Sequence, residues 1–214
     1  MVLLVFGWIL VAIAAGARIG VLHRRLRALE AQTITDPLTG AFNRRHLDVR
    51  LAAAVERRRR SGERASLLLF DIDRFKDIND AVGHVEGDRV LKTLVALVAE
   101  RLRKLDAVFR IGGEEFALLL AGARFGDALR VAETLRGLVS DAGLVDGRQV
   151  SISVGVSELS LGHSVREWIE EADAALYRAK RAGRNRVDGG RAGPPESACE
   201  RITERQIRVP VRIS

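Results

Sequence analysis

The chain has 214 residues, 47% hydrophobic and 29% charged, which is room for one globular domain with a sizeable core and short extensions. A single cysteine, Cys199, excludes an internal disulfide framework and fits a reducing compartment; with four scattered histidines it shows no zinc-ligand spacing. The net charge of +7 would suit nucleic acid, an anionic membrane or phosphorylated small ligands, but aromatics are only 5% and no basic stripe interleaves with them, so no nucleic-acid partner is expected.

Residues 1–17, MVLLVFGWILVAIAAGA, carry no charge; Arg18 interrupts, IGVL continues and HRRLR follows. A bilayer span needs about 20 apolar residues, so 1–22 is readable as a transmembrane anchor if Arg18 snorkels. The competing readings are a buried core helix, or a cleaved signal peptide, which would lack its usual positive n-region. Arg24, Arg25 and Arg27 follow the span, and the positive-inside rule then puts the rest of the chain in the cytoplasm, as a single-pass protein of the inner membrane. Ile19, Leu22, Leu26, Leu29 and Thr33 are spaced 3-4-3-4, an a/d seam of about two heptads. Residues 23–34 are therefore expected as a linker or the coiled-coil stalk of a parallel dimer, although the seam could equally pack on the domain that follows.

The folded body is expected over 35–188. DPLTG reads as a turn, then a basic helix runs from about Arg44 to Ser61. SLLLFDI, residues 66–72, is a continuous apolar run of buried-strand type, and 85–104 has helical periodicity. VFRI and FALLL are two strands joined by GGEE. Residues 127–141 read as a helix, QVSISVGVS as a strand with Ile152, Val154 and Val156 on one face, and 165–182 as a last helix closed by Gly183. The order β-α-β-β-α-β-α predicts an α+β sheet with helices on one or both faces. From Gly189 to Ser214 the composition is rich in Gly, Pro and charge and predicts a disordered tail.

The apolar strand ends in Asp71-Ile72-Asp73, and the hairpin carries Glu114 and Glu115 at its tip. A turn needs glycine but not paired acids, so the plain alternative is a solvated turn. If the two strands are neighbours, the acid clusters meet, and clustered carboxylates repel unless a cation neutralises them. Oxygen-only ligands suit Mg²⁺ or Mn²⁺, and such sites commonly hold a substrate triphosphate through two metals. Lys76 would offset phosphate charge, while Asn79 and Asp88 have the donors and acceptors to read a purine edge. Lys180 and Arg184, four apart, would share a helix face and grip a distal phosphate. Each has a simpler reading: Lys and Arg near a helix end complement its dipole, Asn and Asp cap or turn, and His84 reads as structural at the start of the following helix.

Together these segments resemble the GGDEF family, the bacterial diguanylate cyclases, over about Thr33 to Asp188. Five motifs agree in order and spacing: DPLTGAFNRR, FDIDRFKDINDAVGHVEGD, RIGGEEF, ISVGVS and ADAALYRAKRAGRNRV. The resemblance implies a palm-like α+β fold, a central mainly antiparallel sheet surrounded by helices as in nucleotide cyclases. It implies Asp71, the Ile72 carbonyl and Glu114 as ligands of Mg²⁺ or Mn²⁺. Glu115 is implied in activating a 3′-hydroxyl or completing the metal site, and Lys76 in stabilising phosphate charge. Asn79 and Asp88 become guanine readers, and Lys180 and Arg184 triphosphate contacts. The implied reaction joins two GTP into cyclic di-GMP with loss of pyrophosphate. Each domain holds one GTP, so a homodimer is part of it. Arg103-Lys104-Leu105-Asp106 matches the family's RxxD product-inhibition motif; its simpler reading is an ion pair at a helix end. Arg130 and Arg136 are candidates for a further arginine there. GGEEF has Glu where the family name has Asp, which keeps the carboxylate, and Ala41 replaces a usual Leu. No recognisable sensor domain lies between anchor and cyclase body. The alternatives are a catalytically silent receptor for cyclic di-GMP or GTP, and a scaffolding membrane protein.

Overall fold

The computed structural model describes residues 33–190 and Arg18. The expected anchor over 1–22, nearly all of the stalk over 23–34 and the tail from 191 onward lie outside the described residues. Among the described residues no helix is long and apolar enough to cross a membrane. In chain order the elements are β1 (Phe42–Asn43), α1 (Arg44–Ser61), β2 (Ala65–Ile72), α2 (Phe75–Val82), α3 (His84–Ala99), β3 (Ala107–Arg110), β4 (Glu115–Ala121), α4 (Phe125–Asp141), β5 (Ile152–Glu158), α5 (Val165–Arg181) and β6 (Val187–Gly189).

The sheet is built around β2. Its strand order is β1-β3-β4-β2-β5-β6, with β2 antiparallel to both β4 and β5 and β3 antiparallel to β4. Only the short edge strands run parallel to their neighbours, β1 to β3 and β6 to β5. The expected mainly antiparallel α+β sheet is therefore present. Every residue of β2 is buried, because helices cover both faces. Leu68, Phe70 and Ile72 join the cluster formed with α2, α3 and α4, whereas Ala65, Leu67 and Leu69 join that formed with α1 and α5. Phe70 stacks on Phe116 of β4 with centroids 5.4 Å apart. Burial on this scale, about 1.5–3 kcal/mol per large apolar side chain, holds β2 in place and so fixes where its acidic end emerges.

On β5, Ile152, Val154 and Val156 face the α2–α3–α4 side, as their alternation predicts. The opposite face carries small residues, so α5 lies directly on it. A Cβ on Gly155 would sit 2.2 Å from both the Ala172 carbonyl oxygen and the Leu176 nitrogen. Trp168 of α5 is fully buried, and its indole N–H donates to the Ser157 carbonyl at 3.3 Å. The helix ends follow local chemistry. Asn43 caps α1 by accepting from the His46 N–H, Gly62 closes it at φ 72°, and Arg58, Arg59 and Arg60 sit against its negative pole. Ser164 and Glu167 form a capping box on α5.

Three readings of the sequence need correction. The helix expected over 85–104 stops at Ala99, because 100–105 turn tightly towards β3. α2 was absent from the expected order: its N-cap, Arg74, has left-handed backbone and no capping side chain, so no start signal precedes it. Val187–Gly189 is strand, so the tail expected from Gly189 begins inside the sheet.

Candidate functional site

The two acid clusters do meet. Asp71, near the end of β2, is the register partner of Glu115, the first residue of β4. The Ile72 N–H donates to the Glu114 carbonyl oxygen at 3.3 Å, tying the hairpin tip to the strand end. Within the tip, the Ile111 and Gly112 N–H groups donate to the Glu115 carbonyl at 2.9 and 3.3 Å. A Cβ on Gly112 would stand 2.5 Å from a Glu115 carboxylate oxygen, so the missing side chain makes room for the acid beside it. Gly113 opens onto empty space. The opening GG of the motif thus splits its work between close packing and an uncluttered approach.

The tip has an outer brace. Arg110 donates to the Gly113 carbonyl at 2.8 Å and to the Asp36 carboxylate at 3.0 Å. Asp36 also accepts from the Thr39 N–H and hydroxyl at 2.9 and 2.7 Å. Burial alone would raise the Asp36 carboxyl; the Thr39 and Arg110 hydrogen bonds outweigh it and hold the group below the ordinary carboxylate range. DPLTG is a turn, as its sequence predicts, but its second task, bracing the GGEE hairpin through Arg110, was not visible across 74 residues of sequence.

Asp71 is 8% exposed and pairs with Lys180 at 3.0 Å. Burial pushes its carboxyl above the ordinary range; Lys180 pulls it back, and the charges of Glu114 and Glu115 add to the rise. The charged site is therefore only partly compensated, since one lysine faces three acids. No group of three or more His, Cys, Asp or Glu among the described residues is placed to cage a metal ion alone. The donors present, the Asp71 and Glu114 carboxylates with the Ile72 carbonyl, are hard oxygens. They fit Mg²⁺ or Mn²⁺ held partly by protein and otherwise by water and phosphate oxygens.

Asp73 takes a different part from Asp71. It is buried, and accepts from the Ser151 and Ser153 hydroxyls at 2.7 and 2.6 Å and from the Asn185 N–H at 2.9 Å. It fastens β2, β5 and the segment after α5 to one another. Lys180 and Arg184 do not share a helix face: α5 ends at Arg181, Gly183 has φ 118° and Arg184 itself has φ 62°. Lys180 turns to Asp71, and Arg184 lines a cavity beside Asp73.

Lys76 is exposed in the first turn of α2, and Asp88 is exposed on α3. Asn79 is the unusual polar group, because its side-chain oxygen is buried without a hydrogen-bond partner. Such an orphan acceptor is costly unless a ligand supplies the donor. Gly87 of α3 makes room for it, since a Cβ there would lie 1.9 Å from that oxygen. In the RxxD segment Asp106 accepts from the Arg103 N–H at 3.1 Å and from the Ala121 N–H at 3.2 Å. The aspartate therefore pins the turn, rather than pairing with the arginine side chain, and Arg103 is exposed. Arg136 is committed to Glu133 and Asn185, and Arg130 to Asp127.

The family described as "Diguanylate cyclase, GGDEF domain" matches residues 33–186. The chain is 40% identical over 169 residues to the diguanylate cyclase DgcP of Pseudomonas aeruginosa, covering 78% of this chain and 25% of that protein. It is 41% identical over 162 residues to the response regulator PleD of Caulobacter vibrioides, covering 73% and 36%. The chain thus spans only a quarter to about a third of these two relatives. Among solved structures, the coiled coil and GGDEF domain of DgcB from Caulobacter crescentus, in complex with c-di-GMP, superposes with a TM-score of 0.71 at 30% identity, covering 82% of this chain and 95% of that one. The diguanylate cyclase SiaD of Pseudomonas aeruginosa, bound to its activator SiaC, gives 0.71 at 39% identity, covering 84% and 70%.

Proposed function

The chain belongs to the GGDEF-domain family of diguanylate cyclases, and we propose on that footing that it condenses two GTP into cyclic di-GMP and two pyrophosphates. The observation that carries the reading is the meeting of Asp71 with the Glu114–Glu115 tip, under-compensated by Lys180. Asp71, Glu114 and the Ile72 carbonyl would hold Mg²⁺ or Mn²⁺, which supplies Lewis-acid activation of the 3′-hydroxyl and neutralises charge at the α-phosphate. Glu115 orients that hydroxyl and takes its proton as the new O3′–P bond forms. The bond from the α-phosphorus to the β-phosphate bridge breaks, and pyrophosphate leaves with the electron pair. Lys76, Lys180 and Arg184 hold the triphosphate. Asn79 and Asp88 read the guanine, the orphan Asn79 oxygen accepting a base N–H.

One domain offers one such half-site, so two copies face each other and the reaction runs twice across the dimer. In the same reading the anchor over 1–22 keeps the catalytic body on the cytoplasmic face, the stalk over 23–34 favours the dimer, and Arg103 and Asp106 bind product. The backbone contacts of Asp106 then serve to present the exposed Arg103 guanidinium.

The test uses the full chain in detergent with GTP and Mg²⁺, its nucleotides separated by chromatography. Cyclic di-GMP should accumulate, at a rate per chain that climbs with protein concentration before levelling off. Bound cyclic di-GMP with no turnover at any concentration would instead mark a receptor. A second expectation concerns Gly87→Ala. Alanine raises helix propensity by about 1 kcal/mol, so thermal stability should hold or rise. The new Cβ must displace the Asn79 carboxamide, so GTP affinity should fall by about tenfold, the worth of one buried hydrogen bond to a ligand. Unchanged affinity in a titration would remove Asn79 from base reading.

A further inference from the structure

Next to the acid cluster, on the β5 side, lies a cavity of about 400 Å³. Arg74, Asp77, Arg148, Ser151, Arg184 and Asn185 are among its lining residues. The guanidinium groups of Arg74, Arg148 and Arg184 form no hydrogen bond or ion pair with any described residue. The Asp73 carboxylate, also on the wall, is already filled by two hydroxyls and a backbone N–H, which leaves Asp77 as the acid facing them.

A second observation marks the same place. Among the described residues, the non-glycine positions with left-handed backbone are Arg74 (φ 55°), Arg184 (φ 62°) and Asn185 (φ 44°), and all three line this cavity. Such backbone costs free energy and persists only where the surroundings impose it, typically at ligand sites. At Asn185 the Asp73 carboxylate holds the backbone N–H in that conformation. Three unpaired arginines from three separate segments, on a polar wall, suit an anion with oxygens in several directions. The cavity begins two residues from the acid cluster, at Asp73, and the end of α5 serves both: Lys180, one residue before its last, reaches Asp71, while Arg184 lines the cavity.

We propose that Arg74 and Arg148, with Arg184, receive the two distal phosphates of the bound triphosphate, the group that leaves as pyrophosphate. The proposal rests on the cyclase reading for the orientation of the nucleotide. It adds two binding residues, Arg74 and Arg148, and gives pyrophosphate a pocket from which it must escape before the next GTP enters. Asp77 opposes the same charge and weakens the hold.

The experiment is calorimetric titration of the full chain in detergent, in Mg²⁺, with pyrophosphate, and with GTP and GDP in parallel. Arg148→Ala and Arg74→Gly, the latter keeping the left-handed backbone comfortable, should each weaken pyrophosphate about tenfold or more and lower the preference for GTP over GDP. Asp77→Asn should tighten pyrophosphate. GTP should displace pyrophosphate competitively. Arginine variants that bind pyrophosphate as the parent does would overturn the proposal. Weakened pyrophosphate binding that GTP leaves undisturbed would also overturn it, because the pocket would then hold a free polyanion and not the substrate's tail. A parent that binds pyrophosphate through these arginines yet makes no cyclic di-GMP would sink the cyclase reading and leave the anion site standing.

Discussion

Asp71→Asn is expected to reduce cyclic di-GMP formation by about two to three orders of magnitude, the usual cost of removing one electrostatic stabiliser of a transition state. The same substitution should leave the melting temperature unchanged or higher when measured in EDTA. The second half follows from burial. The carboxylate is 8% exposed, its carboxyl is pushed up by burial, and Glu114 and Glu115 repel its charge. An acid raised in the folded state binds its proton more tightly there than in the unfolded chain. Its charge is thus a cost at neutral pH that disappears as pH falls below its unfolded value. Asparagine removes that cost, and Lys180, 32% exposed, can turn to water once its partner is neutral. Activity lost with stability kept is the signature of a group retained for chemistry. A melt lowered by several degrees would instead make the Asp71–Lys180 pair a structural bond.

Gly155→Ala is expected to do the reverse, damaging the fold first. The added methyl would stand 2.2 Å from a carbonyl oxygen and a nitrogen of the α5 backbone and 2.8 Å from the Leu176 Cα. No rotamer change relieves a clash with helix backbone, so α5 must lift from β5 or the strand must bend. We expect a loss of about 3 kcal/mol or more, the upper range of overpacking, from a total that is typically 5–15 kcal/mol. That corresponds to a fall of about 6–12 °C in melting temperature for a domain of this size. A melt within 2 °C of the parent, roughly the error of the comparison, would show that α5 is free to slide. Because α5 also carries Lys180, the lifted helix should cost activity beyond the loss of folded protein.

Much of this architecture was legible because local chemistry and tertiary packing agree. The apolar run of β2, the alternation on β5 and the Gly183 punctuation each specify their element without help. The paired acids stood out in the sequence, since nothing about a turn requires Glu114 and Glu115, and the β2–β4 register brings them to Asp71. What escaped was short or long-range. β1 and β6 have two and three residues, too few to show a period. α2 starts from an arginine in left-handed backbone. The Lys180–Arg184 spacing looked helical because they are four positions apart, and only the left-handed turn after Arg181 shows that they part. The hold of Asp36 on Arg110, and of Asp73 on Ser151, Ser153 and Asn185, joins residues 74 to 112 apart. No periodicity reports such pairs.

The position of β2 at the centre of the sheet also bears on the protein's birth. This fully buried strand, with its apolar Leu67–Phe70 run, leaves the ribosome before either of its neighbours exists: β4 ends at Ala121 and β5 at Glu158. At roughly 5–20 residues per second, several seconds pass with both of its edges unsatisfied. α1, synthesised just ahead of it, can cover one face at once through Leu47, Leu51 and Ala54. The other face waits for the helices that follow. The nascent chain is therefore most vulnerable to aggregation after β2 has emerged and before β5 arrives, which is when a chaperone holding the Leu67–Phe70 stretch would do most good.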